Sequence, residues 1–128
     1  MAFNFGALSA TYPWPDGAVV TYADEKGKTV RDKFTPIFNR LNKDENKGLA
    51  QVMMAYQRAM EANEDLDDLP DDREIADRVL AGWKGVTNDG EEMPYTEENK
   101  ALLLNSPAFV SAVVRAYFES IEPAKAKN

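Results

Sequence analysis

Neither cysteine nor histidine occurs among the 128 residues. Without thiols there are no disulfides and no thiolate nucleophile. Without imidazole no Ser-His or Cys-His pair can be built, and zinc, copper and iron lose their usual ligands. An enzyme would be left with carboxylate, lysine, tyrosine or hydroxyl chemistry. A non-catalytic role is therefore expected, with no cofactor and no resident metal. Long apolar runs are also missing, against the roughly 20 residues of a membrane-spanning helix, so no membrane partner is expected. The first ten residues, MAFNFGALSA, have neither a basic lead nor a continuous apolar run, so no secretory signal is expected. The lack of cysteine fits a cytoplasmic location.

The chain is close to the commonest size of a single domain and can bury one modest core. Its net charge of −7 is unevenly spread. Residues 1–60 carry a balance of +2, residues 61–100 a balance of −10, and residues 101–128 a balance of +1. Because phosphate backbones are anionic, the middle of the chain should repel nucleic acid. Within it, Glu61 to Glu74 holds eight carboxylates in fourteen positions. A calcium loop would need oxygens at its positions 1, 3, 5 and 12 and glycine at 6. Counting from Asp65 puts Leu69, Pro70 and Ala76 at 5, 6 and 12, which excludes it. A solvated acidic turn, with negative charge at the start of a helix where the dipole favours it, is the simpler reading. An acidic inhibitor that mimics DNA is a rival one.

Residues 1–41 read as β-rich. Ala18 to Ala23 is a β-branched and aromatic run, and Asp24-Glu25-Lys26-Gly27 supplies a turn. Val30, Phe34, Ile37, Phe38 and Leu41 follow, interrupted by Pro36. A proline cannot donate to a ladder, so an edge strand or a bend is expected there. The rigid Pro13-Trp14-Pro15-Asp16-Gly17 entry precedes the hairpin, with room for a third strand in residues 3–12. From residue 42 the period turns helical. Asn42 and Glu45 fit a capping box, and Leu49, Val52, Met53, Tyr56 and Met60 form one stripe. Ile75, Val79, Leu80 and Trp83 suggest a second helix, Thr96 to Leu104 a third, and Ser106-Pro107 opens a fourth that Pro123 stops. The expected fold is α+β and helix-dominant: a short N-terminal antiparallel hairpin followed by about four helices packed as a small bundle. One domain spans 1–128, with a β-rich part at 1–41, a helical part at 42–122 and a flexible tail at 123–128.

Residues 82–99, GWKGVTNDGEEMPYTEEN, form a closely specified connection that carries no nucleophile. Asn88-Asp89-Gly90 is a strong turn, and Thr96 can cap a helix after the rigid Pro94-Tyr95 approach. The expected role is structural: Trp83 and Tyr95 pin the segment to the core and set helices two and three side by side. Met53 and Met60 fall on the core stripe of the first helix, whereas Met54 lies about 100° away and is the better candidate for an exposed contact.

The succession from Gly-Trp-Lys-Gly-Val through the acidic turn to Pro-Tyr-Thr-Glu-Glu-Asn, Leu-Leu and a Ser-Pro-led helix ending in Ala-Tyr-Phe resembles the tail assembly chaperones of long-tailed bacteriophages. Upstream, the hairpin, the strand KFTPIFNRLN and the acid-capped helix occur in the same order, so the resemblance covers roughly 18–121. It implies a non-catalytic protein that binds the tape-measure protein and keeps it soluble while tail-tube subunits polymerise around it. It also implies a host-cytoplasmic protein absent from the mature virion and, in many relatives, a longer frameshifted product that recruits tube protein. A homo-oligomer is expected separately, from surplus apolar surface used for self-association, client binding or both. A minor phage structural or connector protein is the alternative. Partner-binding candidates are Met54, Trp83, Tyr95, Leu102, Leu103, Val110, Val114, Tyr117 and Phe118. The third and fourth helices are expected to carry more apolar surface than the core consumes.

Overall fold

Eleven residues from Thr29 to Asn39 form one long strand, β3, which organises the molecule. In this computed structural model residues 2–62 and 72–121 are described, without the side chains at 53, 56, 57, 59 and 60. The expectations for Met53, Tyr56 and Met60, for most of the acidic run and for the tail from 123 lie outside the described residues. Before β3 come a 3-10 turn at Phe5–Ala7, β1 at Thr11–Pro13 and β2 at Ala18–Ala23. After it come α1 (Lys43–Glu61), α2 (Asp72–Val79), β4 (Leu80–Lys84), β5 (Thr87–Asn88), β6 (Glu91–Glu92), α3 (Glu97–Leu103) and α4 (Pro107–Ile121).

The first half of β3 pairs antiparallel with β2, Ala18 opposite Phe34 and Ala23 opposite Thr29. Its second half is flanked twice. Ile37 lies between Pro13 of β1 and Gly82 of β4, and Phe38 between Tyr12 and Leu80. Pro36 therefore sits in the interior of the sheet, not at an edge, and is fully buried. The reason lies across the ladder. Pro36 O accepts from Trp14 N at 2.9 Å, but the reciprocal donor that proline lacks is not needed. Trp14 O turns away to accept from Gly17 N at 2.9 Å, where the chain leaves the ladder between β1 and β2. The missing N–H falls opposite the one place that does not call for it.

The helix-dominant bundle is not what forms. Leu80 to Lys84, expected to extend the second helix through Trp83, is a strand of a four-stranded sheet. The helical spacing of Ile75, Val79, Leu80 and Trp83 is real only as far as Val79. Gly82 and Gly85 weaken a helix beyond that point. Trp83 pairs with Pro36 and Leu80 with Phe38, and the bulge at Ala81 between them turns both side chains to the core face of the sheet. A Cβ at Gly82 would approach Ile37 Cδ1 to 3.2 Å, so glycine suits this close strand contact. The Asn-Asp-Gly turn closes β5 on β6. Asp89 and Gly90 both have positive φ, 50° and 86°, which the two-residue type I′ loop of a hairpin requires.

The helix starts follow the sequence closely. Asn42 N donates to Glu45 Oε1 at 3.1 Å and Glu45 N to Asn42 Oδ1 at 2.8 Å, the reciprocal capping box of α1. Thr96 Oγ1 accepts from Asn99 N at 3.0 Å at the head of α3. Asn42→Ala removes one such bond, and the expected loss is about 1 kcal/mol, read as a lower urea midpoint with an unchanged slope.

The core lies between the sheet and α4, which packs on β2 and on α2. Phe34 stacks on Phe109 at 5.2 Å between centroids, and Phe38 meets Tyr117 edge-on at 5.3 Å. Since Phe34 precedes Phe38 and Phe109 precedes Tyr117, α4 runs in the same direction as β3 and opposite to β2.

Candidate functional site

Helices α3 and α4 meet at a bend of 102°. Against that bend and the start of β5, the sheet leaves an apolar groove of about 640 Å³. Val20 and Phe34 line it from the sheet, Val86 from the turn after β4, and Leu103 and Phe109 from the helices. Asp32, Lys33 and Ser106 also contribute to its lining. This is the size range of a ligand pocket, but its apolar lining suits side chains of a partner better than a polar metabolite.

The predicted contact residues divide sharply. Leu102 is exposed and Leu103 lines the groove. Met54, on α1, is half exposed. Val110, Val114 and Tyr117 are buried in the protomer's own core, and Phe118 packs partly buried, edge-on to Tyr117 at 5.7 Å. The apolar excess expected on α4 is thus taken up by the sheet and α2 within one chain. Trp83 is buried too. Its Nε1 donates to Met93 O at 2.7 Å, and its ring lies edge-on to Tyr95 at 4.9 Å and to Phe109 at 6.1 Å. Tyr95 OH donates to Leu80 O at 3.2 Å. These contacts tie residues 80–95 into one joint.

Sequence reasoning missed the residues that are most exposed. Phe3 and Phe5 are 76% and 77% accessible, and Leu8, Val19 and Tyr22 also face outward. The available signal was the uncharged Phe-x-Phe opening, which precedes any strand alternation that could bury it. Lys100 was also missed. Its Nζ donates to Asp77 O at 2.9 Å and lies 3.1 Å from Asp77 Oδ1. Its position caps a carbonyl in the last turn of α2 and ties α3 to that helix. Burial opposes its charge, but the hydrogen bonds to Asp77 and Tyr95 more than offset this and raise its pKa.

A family model described as YdaY prophage protein matches residues 30–127, from β3 to beyond α4. The chain belongs to this family. It is therefore a phage-derived protein. No curated protein and no solved structure matches it.

At the other end of the core of this family member, a hydroxyl cluster joins three elements. Tyr12 OH and Ser120 Oγ are 2.7 Å apart, Ser120 Oγ donates to Tyr117 O at 2.6 Å, and Tyr117 OH donates to Asn46 Oδ1. Loss of solvation pushes the Tyr117 hydroxyl well above its usual range, with Tyr12 and Glu45 adding to the effect. Burial raises Tyr12 as well, against lowering by Ser120 and Arg40. Both hydroxyls thus hold their protons at ordinary pH and serve as structural hydrogen-bonding groups. In the unfolded chain they titrate near pH 10. Above about pH 10 the unfolded state releases protons that the folded state keeps, so stability present at neutral pH is lost as pH rises. Urea midpoints are expected to fall as pH passes about 10, and Tyr117→Phe should flatten that fall while lowering stability at neutral pH by about 1 kcal/mol.

Proposed function

We propose that this phage-derived chain is a non-catalytic tail assembly chaperone. It binds the tape-measure protein in the host cytoplasm, keeps it soluble while tube subunits polymerise, and is absent from the finished virion. A longer frameshifted product would recruit tail-tube protein. The observation that carries the reading is the apolar groove beside the α3–α4 bend, with Leu103 in its wall and Leu102 exposed on the same short helix. A long amphipathic client presents apolar side chains spaced three and four apart, which such a groove can accept in the helix-in-groove mode. The net charge of −7 supports the same role, because like charge keeps covered complexes apart. The succession of segments from Gly82 to Phe118, similar to tail assembly chaperones, adds to it.

The test is co-expression with the tape-measure protein and sedimentation of the lysate. The chaperone reading expects the client in the supernatant only when this chain is present. Leu102→Glu with Leu103→Asp should return the client to the pellet. A purified virion that retains the chain would overturn the reading in favour of a minor structural or connector protein.

A further inference from the structure

The direction of every backbone group on β2 can be read from its turn. Asp24 N donates to Lys28 O at 2.8 Å, which places residue 24 in a hydrogen-bonded pair with β3. Alternate residues of a strand direct their N–H and C=O to the same side. Ala18, Val20 and Tyr22 therefore bond to β3, while Val19, Thr21 and Ala23 direct theirs outward. Among the described residues β2 pairs with β3 alone, and all three outward residues are exposed. Natural sheets blunt such an edge with charge, proline or a bulge. The run Ala-Val-Val-Thr-Tyr-Ala has none of these, and it exposes Val19 at 48% and Tyr22 at 41%.

We propose that this edge is the interface with a second copy of the chain, β2 pairing antiparallel with its counterpart about a two-fold axis at Thr21. Of the symmetric registers, this one pairs all three outward residues, Thr21 with its own copy and Val19 with Ala23. It also has a charge consequence. The partner's Asp24-Glu25 turn is carried alongside Ala18 and Gly17. There a groove of about 320 Å³ separates the β2 edge from α4, and in its lining Arg31 and Arg115 outnumber Glu119. Arg115 is exposed and makes no ion pair among the described residues. Shifting the register back by one step would set Asp24 against Asp16, like against like. The result is an isologous dimer with one continuous sheet, closed by two identical charge contacts. It is independent of the client-binding reading, since it uses the opposite side of β2 from β3 and needs no client.

Analytical ultracentrifugation of the full chain is expected to show a concentration-dependent dimer. Thr21→Pro should give a folded monomer, because the proline removes only an outward donor. Arg115→Glu should weaken the dimer about tenfold, and adding Glu25→Arg should restore it. The absence of native cysteine permits a sharper test. Thr21→Cys places two thiols across the axis in a hydrogen-bonded pair, where Cα atoms lie about 5.5 Å apart, within the reach of a disulfide. Mild oxidation should yield a covalent dimer from Thr21→Cys and not from Lys28→Cys. A wild-type chain that stays monomeric up to submillimolar concentration overturns the proposal. So does a wild-type dimer that Thr21→Cys cannot cross-link. If Thr21→Pro fails to fold, the cross-link alone decides.

Discussion

Phe38→Ala is expected to cost about 3–5 kcal/mol, the usual range for deleting a buried aromatic ring. Phe38 is inaccessible to solvent and occupies the point where the sheet is widest, between Tyr12 of β1 and Leu80 of β4. Its ring meets Tyr12 at 5.9 Å and Tyr117 at 5.3 Å, both edge-on. Truncation leaves a void bounded by a strand on each side, neither of which can move in without breaking its ladder, and by α4, which is held by its packing on β2 and α2. Small domains hold only about 5–15 kcal/mol in total, so the variant should sit at the margin of folding. A denaturant titration reads the effect directly. Phe38→Leu should lose much less, because it fills most of the space. A loss below 1 kcal/mol for the alanine variant would mean that the sheet and α4 are not held together through this ring.

Trp83→Ala should be nearly as damaging, again about 3–5 kcal/mol. The ring is 7% exposed and links three parts of the molecule: β4, which carries it, the segment after β6 through Met93 O, and α4 through Phe109. Removing it also leaves Met93 O without the indole donor, which adds a desolvation cost. The expected result is a lowered thermal midpoint together with loss of the proposed tape-measure solubilisation, because the groove beside the α3–α4 bend is held from beneath by this joint. If the variant melts like the wild type yet no longer keeps the proposed client soluble, Trp83 is a contact residue and not a structural one.

These two rings were legible to different degrees in the sequence. Phe38 lies on a strand whose alternation Phe34, Pro36, Phe38 is unambiguous once a strand is assumed, and burial follows. Trp83 was correctly seen as an anchor, but its element was misread. Four apolar residues at helical spacing also satisfy a helix-to-strand junction when the break falls between Val79 and Leu80. Periodicity over so short a run cannot place that break. The candidate site fared similarly. Leu102 and Leu103 stand out because a leucine triplet has more apolar side chains than one helix face can hide, and the structure leaves Leu102 exposed and Leu103 in the groove wall. Val110, Val114 and Tyr117 were offered as contacts because a helix apolar over more than half its circumference looks oversupplied. The sheet on one side and α2 on another account for that excess.

Local chemistry alone determined the capping box of α1, the Thr96 cap of α3, the Asp89-Gly90 turn, the two-residue hairpin it closes and the β2–β3 pairing, because each depends on residues a few positions apart. Absence of thiol and imidazole set the limits on chemistry in the same way. The placement of Pro36, the strand character of Leu80 to Lys84 and the division between buried and exposed apolar surface were decided by tertiary structure. Each depends on which distant backbone lies alongside, and a strand's worth is fixed by its partner's donors and acceptors, not by its own side chains.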